Sequence, residues 1–452
     1  MEHYSFNIKS IFTFGLIFVS LIVIYLLMMS AASAIPSKNI QNNIKNSTVT
    51  LLEADTHPIF EVSTIKATRM ANFTDAAMLN IIYTIDPKHY LQSPLLSEMS
   101  AVDTIMNQTR QIENPFGHLK EIAEDKAINR ISYARYWHGY IVLFRPLFVF
   151  FNYLEIRLIN MAIFSMLVFL LIISTIKKVG RFAVMSLATA LIYINWFVIP
   201  LLLNYIPIFY VAFVVSLLIL NIDIRKEKTY LKLIFISGSL TSFLDLLTAP
   251  LITLGIPLLF IVIKNKEYIN KQTMRQVIFF LLRFVVFWLL GYTLTWLAKI
   301  IIMQMMRVDM ISEFIEQVRL RVGDGSDINP LMLRFYAIAR NIRTMFFGFY
   351  WLLTLLILTF VFITGFLYRR KKVSPVFFAY LFIALFPYGW YFIASNHSDM
   401  HDAFTFRIQM MTVIGLLLAY KESIDMEKLK SRFTMLREKI FSKKTIKQIT
   451  DI

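Results

Sequence analysis

Long apolar stretches separated by short polar turns dominate the pattern of hydrophobic and polar positions along this chain. A membrane-spanning helix needs about 20 mainly apolar residues. Ten stretches come near that requirement, namely residues 10–34, 155–176, 182–200, 207–222, 231–247, 249–263, 276–300, 344–368, 375–394 and 405–420. The pattern therefore predicts an all-α integral membrane protein with about ten transmembrane helices.

The first apolar stretch also has features of a secretory signal, because Lys9 precedes it and small residues close it at positions 31–34. The apolar region of a signal peptide is about 7–15 residues long. This stretch is longer, so we expect an uncleaved first transmembrane helix within residues 1–34.

Basic residues cluster in alternate connections between the predicted spans. The clusters lie at positions 177–181, 225–228, 264–275 and 369–372. Cytoplasmic loops carry an excess of Lys and Arg. The clusters therefore predict a protein of the cell membrane with both termini in the cytoplasm.

This topology divides the chain into alternating membrane and loop regions. An extracytoplasmic loop with juxtamembrane helices spans residues 35–154, and helices 2–7 cross the membrane within residues 155–300. A second extracytoplasmic loop covers residues 301–343, helices 8–10 lie within residues 344–420, and a basic cytoplasmic tail spans residues 421–452. Polar residues 35–145, 301–343 and 395–407 are expected to share the outer face.

The loops themselves contain helical patterns. Residues 73–85 and 117–130 predict short helices, and residues 140–151 suit a helix lying in the membrane interface. Residues 305–322 predict an amphipathic surface helix that ends at a glycine-containing turn over residues 323–327.

Composition agrees with a membrane protein and excludes several kinds of chemistry. The 452 residues are 57% hydrophobic and 17% charged, whereas soluble proteins carry about 25% charged residues. The chain has no cysteine, which excludes disulfides, thiol nucleophiles and cysteine-bound iron–sulfur clusters. No phosphate-binding P-loop, dinucleotide fingerprint or serine nucleophile elbow is present.

The net charge of +17 raises the question of a nucleic-acid partner. Much of the basic charge flanks apolar stretches, where it orients helices and contacts anionic headgroups. We therefore expect membrane lipids, and no nucleic acid, as partners.

Two carboxylates of the first loop are candidates for acid–base chemistry. Asp75 lies at the start of the predicted helix over residues 73–85, where capping of that helix is the alternative role. Asp55 lies between Glu53 and His57, and a solvated loop charge is its alternative role.

Residues 132–140, with Arg145 and Pro146 just beyond, are rich in aromatic and cationic side chains. An aromatic belt at the membrane interface explains the aromatic residues. It explains Arg135, His138 and Arg145 less well, and arginine suits phosphate oxygens because its planar fork donates two parallel bonds. The segment therefore predicts lipid-phosphate contact, with Tyr136 beside Arg135.

Two charged residues occur near the outer ends of predicted spans. Asp245 lies in residues 241–250, and Lys299 lies in residues 295–300. Charges within the membrane usually face a cavity or a partner. Both are candidate substrate-binding residues, and an Asp245–Lys299 ion pair is the structural alternative.

The last external segment contains His397 and His401, spaced so that a helix would place both on one face, and Arg407 follows. Such a pair could be half of a metal site, and solvated polar residues are the alternative. A divalent cation is therefore a possible cofactor, and the sequence does not identify its full set of ligands. Six more arginines lie in the predicted second external loop, and they indicate an anionic ligand or contact with anionic lipid: Arg307, Arg319, Arg321, Arg334, Arg340 and Arg343.

The layout of spans and loops resembles the GT-C class of membrane glycosyltransferases. Residues 73–80, 132–140 with Arg145 and Pro146, 242–250, 295–299 and 396–407 are similar to motifs of a little-characterised group of multispan proteins in Gram-positive bacteria. The segment 396–407 departs from that group, because Asp399 and Asp402 stand where aromatic residues are more usual.

The GT-C resemblance implies a polyprenyl-phosphate-linked sugar as donor and an acidic first-loop residue as base or metal ligand. That residue is Asp75 or Asp55, and Asp75 is preferred because its local motif is better defined. We expect transfer of the sugar to a cell-surface glycan or lipid at the outer face. A polysaccharide polymerase or ligase, and a lipid-linked substrate transporter or flippase, are the alternatives.

Roles follow from this expected reaction. Asp75 would deprotonate the acceptor hydroxyl or hold a metal, with His138 and His401 as second choices for acid–base groups. Four cations would neutralise the departing phosphate: Arg135, Arg145, Lys299 and Arg407.

Overall fold

The computed structural model describes residues 7–53, 68–101, 115–124, 129–223, 226–323, 329–432 and 434–435, and it is about 80% helical. Among these residues, six segments are helical, long and apolar enough to cross a membrane: Ile8–Ser33, Tyr153–Lys178, Met274–Met305, Trp351–Tyr368, Pro375–Ile393 and Asp402–Ser423. The prediction of an all-α, multi-pass membrane protein is confirmed. Shorter apolar helices accompany them at Arg181–Tyr193, Ile206–Asn221 and Ile252–Lys264, so the count of ten stays a prediction.

The first part of the chain places a folded loop region between two long helices. Its elements are α1 (Ile8–Ser33), α2 (Ser37–Glu53), α3 (Asn72–Thr84), α4 (Gln92–Leu96), β1 (Glu98–Ala101), α5 (Pro115–Ala123), β2 (Asn129–Ser132), α6 (Tyr140–Phe144) and α7 (Tyr153–Lys178). α3 matches the predicted helix over residues 73–85. The predicted helix over residues 117–130 is only half correct, because α5 ends at Ala123 and residues 129–132 form a strand.

The two strands of the loop region pair antiparallel, with Glu98 opposite Ser132. The Asn80 side chain on α3 binds this pair of strands, since its Nδ2 donates to Ser100 O at 3.0 Å and its Oδ1 accepts from Ser100 N at 2.8 Å. Buried polar groups need such partners. Asn80 therefore joins α3 to the sheet.

The middle of the chain forms a bundle of α8 (Arg181–Tyr193), α9 (Ile206–Asn221), α10 (Glu227–Leu244), α11 (Ile252–Lys264), α12 (Lys266–Asn270) and α13 (Met274–Met305). α10 and α13 pack closely through two glycines. A Cβ added at Gly238 would lie 2.1 Å from Trp288 O, and one at Gly291 would lie 2.1 Å from Phe235 O. Small residues allow this close backbone approach between membrane helices.

Hydroxyl and indole groups join helices inside the bundle. Ser239 Oγ of α10 lies 3.0 Å from Tyr25 Oη of α1 and 2.7 Å from Thr295 Oγ1 of α13. The Trp137 indole donates to Thr295 O at 2.8 Å. These bonds connect α1, α10, α13 and the segment before α6 through uncharged groups.

The last part contains two surface helices and the remaining apolar helices. Its elements are α14 (Met310–Val322), α15 (Pro330–Ile342), α16 (Trp351–Tyr368), α17 (Pro375–Ala384), α18 (Phe386–Ile393), α19 (Ser395–Met400), α20 (Asp402–Thr405) and α21 (Met410–Ser423). α14 ends where predicted, at Gly323, whose φ of +89° suits glycine. It begins later than residue 305, because α13 continues to Met305 and Asp309 caps α14.

Helix directions and contacts define two ends of the bundle. One end, called here the basic face, includes Lys264, Lys266 and Glu422. Lys266 Nζ lies 2.6 Å from Glu422 Oε1, and Lys264 Nζ donates to Ile219 O at 2.7 Å. At the other end, called here the loop face, residues 133–139, α14 and α19 meet. Candidate chemistry lies at the loop face.

Candidate functional site

The loop face brings together the three polar segments that the sequence predicts on one side. Arg135 Nη1 of the first loop lies 3.2 Å from Glu313 Oε1 of α14. Arg321 Nη2 of α14 donates to Tyr136 Oη at 2.6 Å. Asn396 Nδ2 of α19 donates to a backbone carbonyl at the end of α14, at 2.7 Å. α14 is thus held between the segment over residues 132–140 and the segment over residues 395–407.

Asp245 lies in a tight turn just beyond the last residue of α10. Its Oδ1 accepts a hydrogen bond from Thr248 N at 2.9 Å. Between them, Leu247 has a φ of +67°, which is unusual for a branched side chain and costs about 1–3 kcal/mol. Leu247 O lies 3.0 Å from His397 Nε2 of α19. The turn is therefore held in a strained shape by contacts from another segment.

The Asp245 carboxylate is buried, with 4% of the residue exposed. Its Oδ2 has no hydrogen-bond partner among the described residues. Three phenols from different elements lie close enough to interact with it electrostatically: Tyr136, Tyr205 and Tyr292. The buried carboxylate thus has an oxygen that could accept a hydrogen bond or a proton from a ligand.

The Asp245–Lys299 ion pair, which was the structural alternative to substrate binding, is not formed among the described residues. The Lys299 ammonium donates to Leu95 O at 2.5 Å and lies 5.7 Å from the centre of the Trp137 ring. It is fully buried under the first loop. These contacts give Lys299 a role in holding α4 to α13 and give no support to phosphate binding.

Asp75 is fully buried where α3 meets α7. Its Oδ2 accepts a hydrogen bond from Tyr153 Oη at 2.6 Å, lies 3.4 Å from Arg157 Nη2 and accepts from Leu203 N at 3.4 Å. Its Oδ1 has no partner in the described part of the chain. Burial raises the pKa of the Asp75 carboxyl, and the Arg157 guanidinium opposes that rise.

Helix capping, the alternative role for Asp75, is not what the structure shows. α3 has Ala71 as its N-cap and no side-chain cap hydrogen bond. Arg157 Nη2 also donates to Asn72 Oδ1 at 2.7 Å. Asp75 is therefore part of a network that joins the first loop to α7. The rival residue Asp55 lies outside the described residues.

Arg407 lies at the start of the last long helical segment and is fully buried. Its guanidinium carbon lies 5.2 Å from the centre of the Tyr205 ring, and its Nε donates to Ile194 O at 3.3 Å. Tyr205 follows Leu203 by two positions, and Leu203 N is bound to Asp75. Residues 203–205 therefore run between the Asp75 network and the Arg407 and Asp245 groups.

Arg145 does not face this site. Its guanidinium donates to three backbone carbonyls, Ala32 O at 3.0 Å, Ile82 O at 2.7 Å and Ile35 O at 3.0 Å, and to Ser37 Oγ at 2.9 Å. These bonds join the end of α1 to α3. They give no support to the prediction that Arg145 binds substrate phosphate.

His138 is also held by protein groups on both ring nitrogens. Its Nε2 lies 2.7 Å from Tyr133 O and its Nδ1 lies 3.1 Å from Tyr140 Oη. Burial lowers its pKa from the usual 6.5 to about 3, so the ring is neutral at physiological pH. The neutral ring donates to Tyr133 O and accepts from Tyr140, which gives no support to acid–base work.

The His397 and His401 rings lie with centres 4.8 Å apart. Among the described residues, no group of three or more His, Cys, Asp or Glu side chains is arranged to hold a metal ion. Burial lowers the pKa of His397 to about 3. The described residues therefore provide no third ligand for a metal site that includes His397 and His401. The role of His401 stays a prediction.

Several residues of the site were missed by the sequence analysis. Arg157 lies in the first turn of the predicted span over residues 155–176, where a charge is costly and indicates a partner, so a signal existed for it. Tyr153 lies just before that span. Tyr205 and Tyr292 gave no signal, because buried tyrosines are common near membrane interfaces.

Comparisons of the chain with protein-family models, curated proteins and solved structures found no match.

Proposed function

We propose that the protein is a membrane glycosyltransferase that moves a sugar from a polyprenyl-phosphate carrier to a surface glycan or lipid. One observation carries the proposal. Asp245 has a buried carboxylate oxygen without a partner in the described part of the chain, in a strained turn among tyrosines of several elements. Strained backbone is concentrated at functional sites.

The chemistry of sugar transfer needs a base and cationic groups. The acceptor oxygen bonds to the anomeric carbon of the sugar as the bond from that carbon to the phosphate oxygen breaks. The carboxylate takes the acceptor proton, and the polyprenyl phosphate leaves with the electron pair. Arg321 and Arg407 lie near the tyrosines around Asp245 and supply positive charge for the phosphate.

Asp245 is the better candidate for the base than Asp75, which the sequence favoured. The Asp75 carboxylate is bound by a phenol, a guanidinium and a backbone amide. Each carboxylate has one oxygen without a partner among the described residues. Asp75 is paired with the Arg157 guanidinium, which lowers its basicity, whereas Asp245 is bound by a backbone amide of its own strained turn. Both carboxylates flank residues 203–205, so Asp75 remains the alternative base.

The test measures release of polyprenyl phosphate in vesicles that contain the purified protein and a panel of polyprenyl-phosphate hexoses. Asp245→Asn should reduce turnover at least about 100-fold, because general bases contribute about 10²–10⁴. Native mass spectrometry should show unchanged donor binding. Asp86→Asn is the matched control, since Asp86 is a loop carboxylate bound to His89 at 2.8 Å.

Two outcomes count against the proposal. If the wild-type protein releases no polyprenyl phosphate from any donor, glycosyl transfer is wrong. If Asp245→Asn turns over normally while Asp75→Asn is inactive and folded, the reaction stands and the base is Asp75. A polymerase or ligase would use the same face, and long products from short lipid-linked oligosaccharides would identify it.

A further inference from the structure

A groove at the basic face is lined by residues other than those of the proposed reaction. It has a volume of about 570 Å³ and is lined by side chains of α8, α12, α21, the turn after α16 and the helical residues 426–432. Its lining includes five cations: Arg181, Lys266, Arg370, Lys421 and Lys430. Among the described residues, two carboxylates line it, Glu422 and Glu427. The groove therefore carries an excess of positive charge.

The two carboxylates are already bound by two of the cations. Lys266 Nζ lies 2.6 Å from Glu422 Oε1, and Lys430 Nζ lies 2.9 Å from Glu427 Oε1. The other three, Arg181, Arg370 and Lys421, form no ion pair with the described residues. An anion that entered the groove would therefore meet three cations from three different elements.

Backbone hydrogen bonds hold the walls of the groove together. Arg370 N donates to Ser423 O at 2.9 Å, and Asp425 N donates to Tyr368 O at 2.8 Å. Arg369 and Ile424 form an isolated antiparallel bridge. These bonds fix the end of α16 against the end of α21. The cations are thus brought together by folded structure, which preorganises a binding site.

Part of the lining is apolar. Phe182, Met185 and Met426 line the groove beside the cations, and Lys421 Nζ lies 5.6 Å from the centre of the Phe182 ring. Orientation of the helices explains basic residues at their ends, but it does not explain why they converge on one cavity with an apolar wall. Basic pockets between membrane helices are suited to lipid headgroups.

We propose that this groove binds the phosphate group of an anion. The apolar wall and the position at the helix ends favour the headgroup of an anionic phospholipid as its source, and soluble phosphate has the same chemistry. The arginines donate in pairs to phosphate oxygens, and Lys421 adds a third charge. The site is separate from the loop face and does not depend on the reaction proposed there.

The experiment compares the full-length protein with two triple variants in nanodiscs of phosphatidylcholine with or without phosphatidylglycerol. The groove variant is Arg181→Gln, Arg370→Gln and Lys421→Gln. The control variant is Lys177→Gln, Lys178→Gln and Lys271→Gln, which removes the same charge from exposed positions outside the groove. Native mass spectrometry measures retained phosphatidylglycerol, and a separate arm titrates inorganic phosphate against sodium chloride of equal ionic strength.

We expect the wild-type and control proteins to retain phosphatidylglycerol and the groove variant to lose at least tenfold in occupancy. Stabilisation of the wild type by phosphate alone, lost in the groove variant, would support the site with a soluble anion as its source. Equal loss in both variants, or no loss in either, overturns the proposal. If the triple variant does not fold, Arg181→Gln and Arg370→Gln are tested singly, and unchanged retention in both folded variants overturns it equally.

Discussion

Replacing Arg145 by methionine tests whether this arginine holds the fold or binds substrate. The sequence predicts a phosphate ligand, whereas the structure shows a buried guanidinium that donates to Ala32 O, Ile82 O and Ile35 O. Methionine is similar in length but donates no hydrogen bond. The substitution therefore leaves three backbone carbonyls at the junction of α1 and α3 without their donor.

The magnitude follows from those three carbonyls. Each buried polar group that loses its partner costs about 1–3 kcal/mol. Removal of the buried guanidinium charge returns part of this cost, so the total lies towards the lower end of the sum for three carbonyls. We expect the free energy of unfolding to fall by about 3–5 kcal/mol.

The assay is unfolding by dodecyl sulfate in mixed micelles, followed by tryptophan fluorescence. Arg130→Met is the control, because Arg130 forms an exposed ion pair with Glu98 at 3.3 Å and should change stability by less than about 1 kcal/mol. Donor binding per folded molecule of Arg145→Met should be unchanged. Wild-type stability together with lost donor binding would refute the structural role and restore the predicted phosphate contact.

Three further predictions concern packing, protonation and pairing. Gly291→Ala should destabilise the protein by about 1–3 kcal/mol, because the added Cβ would meet Phe235 O on the facing helix. Gly365→Ala is the control and should not destabilise it, because there is open space for its Cβ. Equal melting temperatures of the two variants would contradict this. The unfolded chain takes up a proton at His138 near pH 6.5, whereas the folded protein does so near pH 3. The fold therefore loses stability as pH falls from 6.5 towards 3, and His138→Gln should flatten the decrease in melting temperature over that range. A double-mutant cycle on Arg135→Gln and Glu313→Gln should give a coupling energy of about 0.5–3 kcal/mol, since the two groups lie 3.2 Å apart and are about one-fifth exposed. A coupling energy near zero would show that the pair contributes nothing to stability.

The sequence was sufficient for features that depend on local pattern. Apolar stretches of about 20 residues have few stable arrangements other than membrane helices, so the class of protein could be predicted and was confirmed. α3 and the end of α14 at Gly323 also followed from short-range signals. The boundary between α13 and α14 was wrong because the apolar pattern runs across it, and only the Asp309 cap separates the two helices.

The partners of the charged residues were decided by the tertiary structure. Arg145, Lys299 and Asp245 looked alike in the sequence, as costly charges beside apolar stretches. Folding places backbone carbonyls against the first two and leaves an oxygen of the third without a partner among the described residues. Hydrogen bonds to atoms 63 and 204 positions away leave no signal in a local pattern. The sequence alone therefore established a helical membrane protein with polar loops. The packing of α1, α3, α10 and α14 decided which charges are bound by backbone carbonyls and which keep an oxygen without a partner among the described residues.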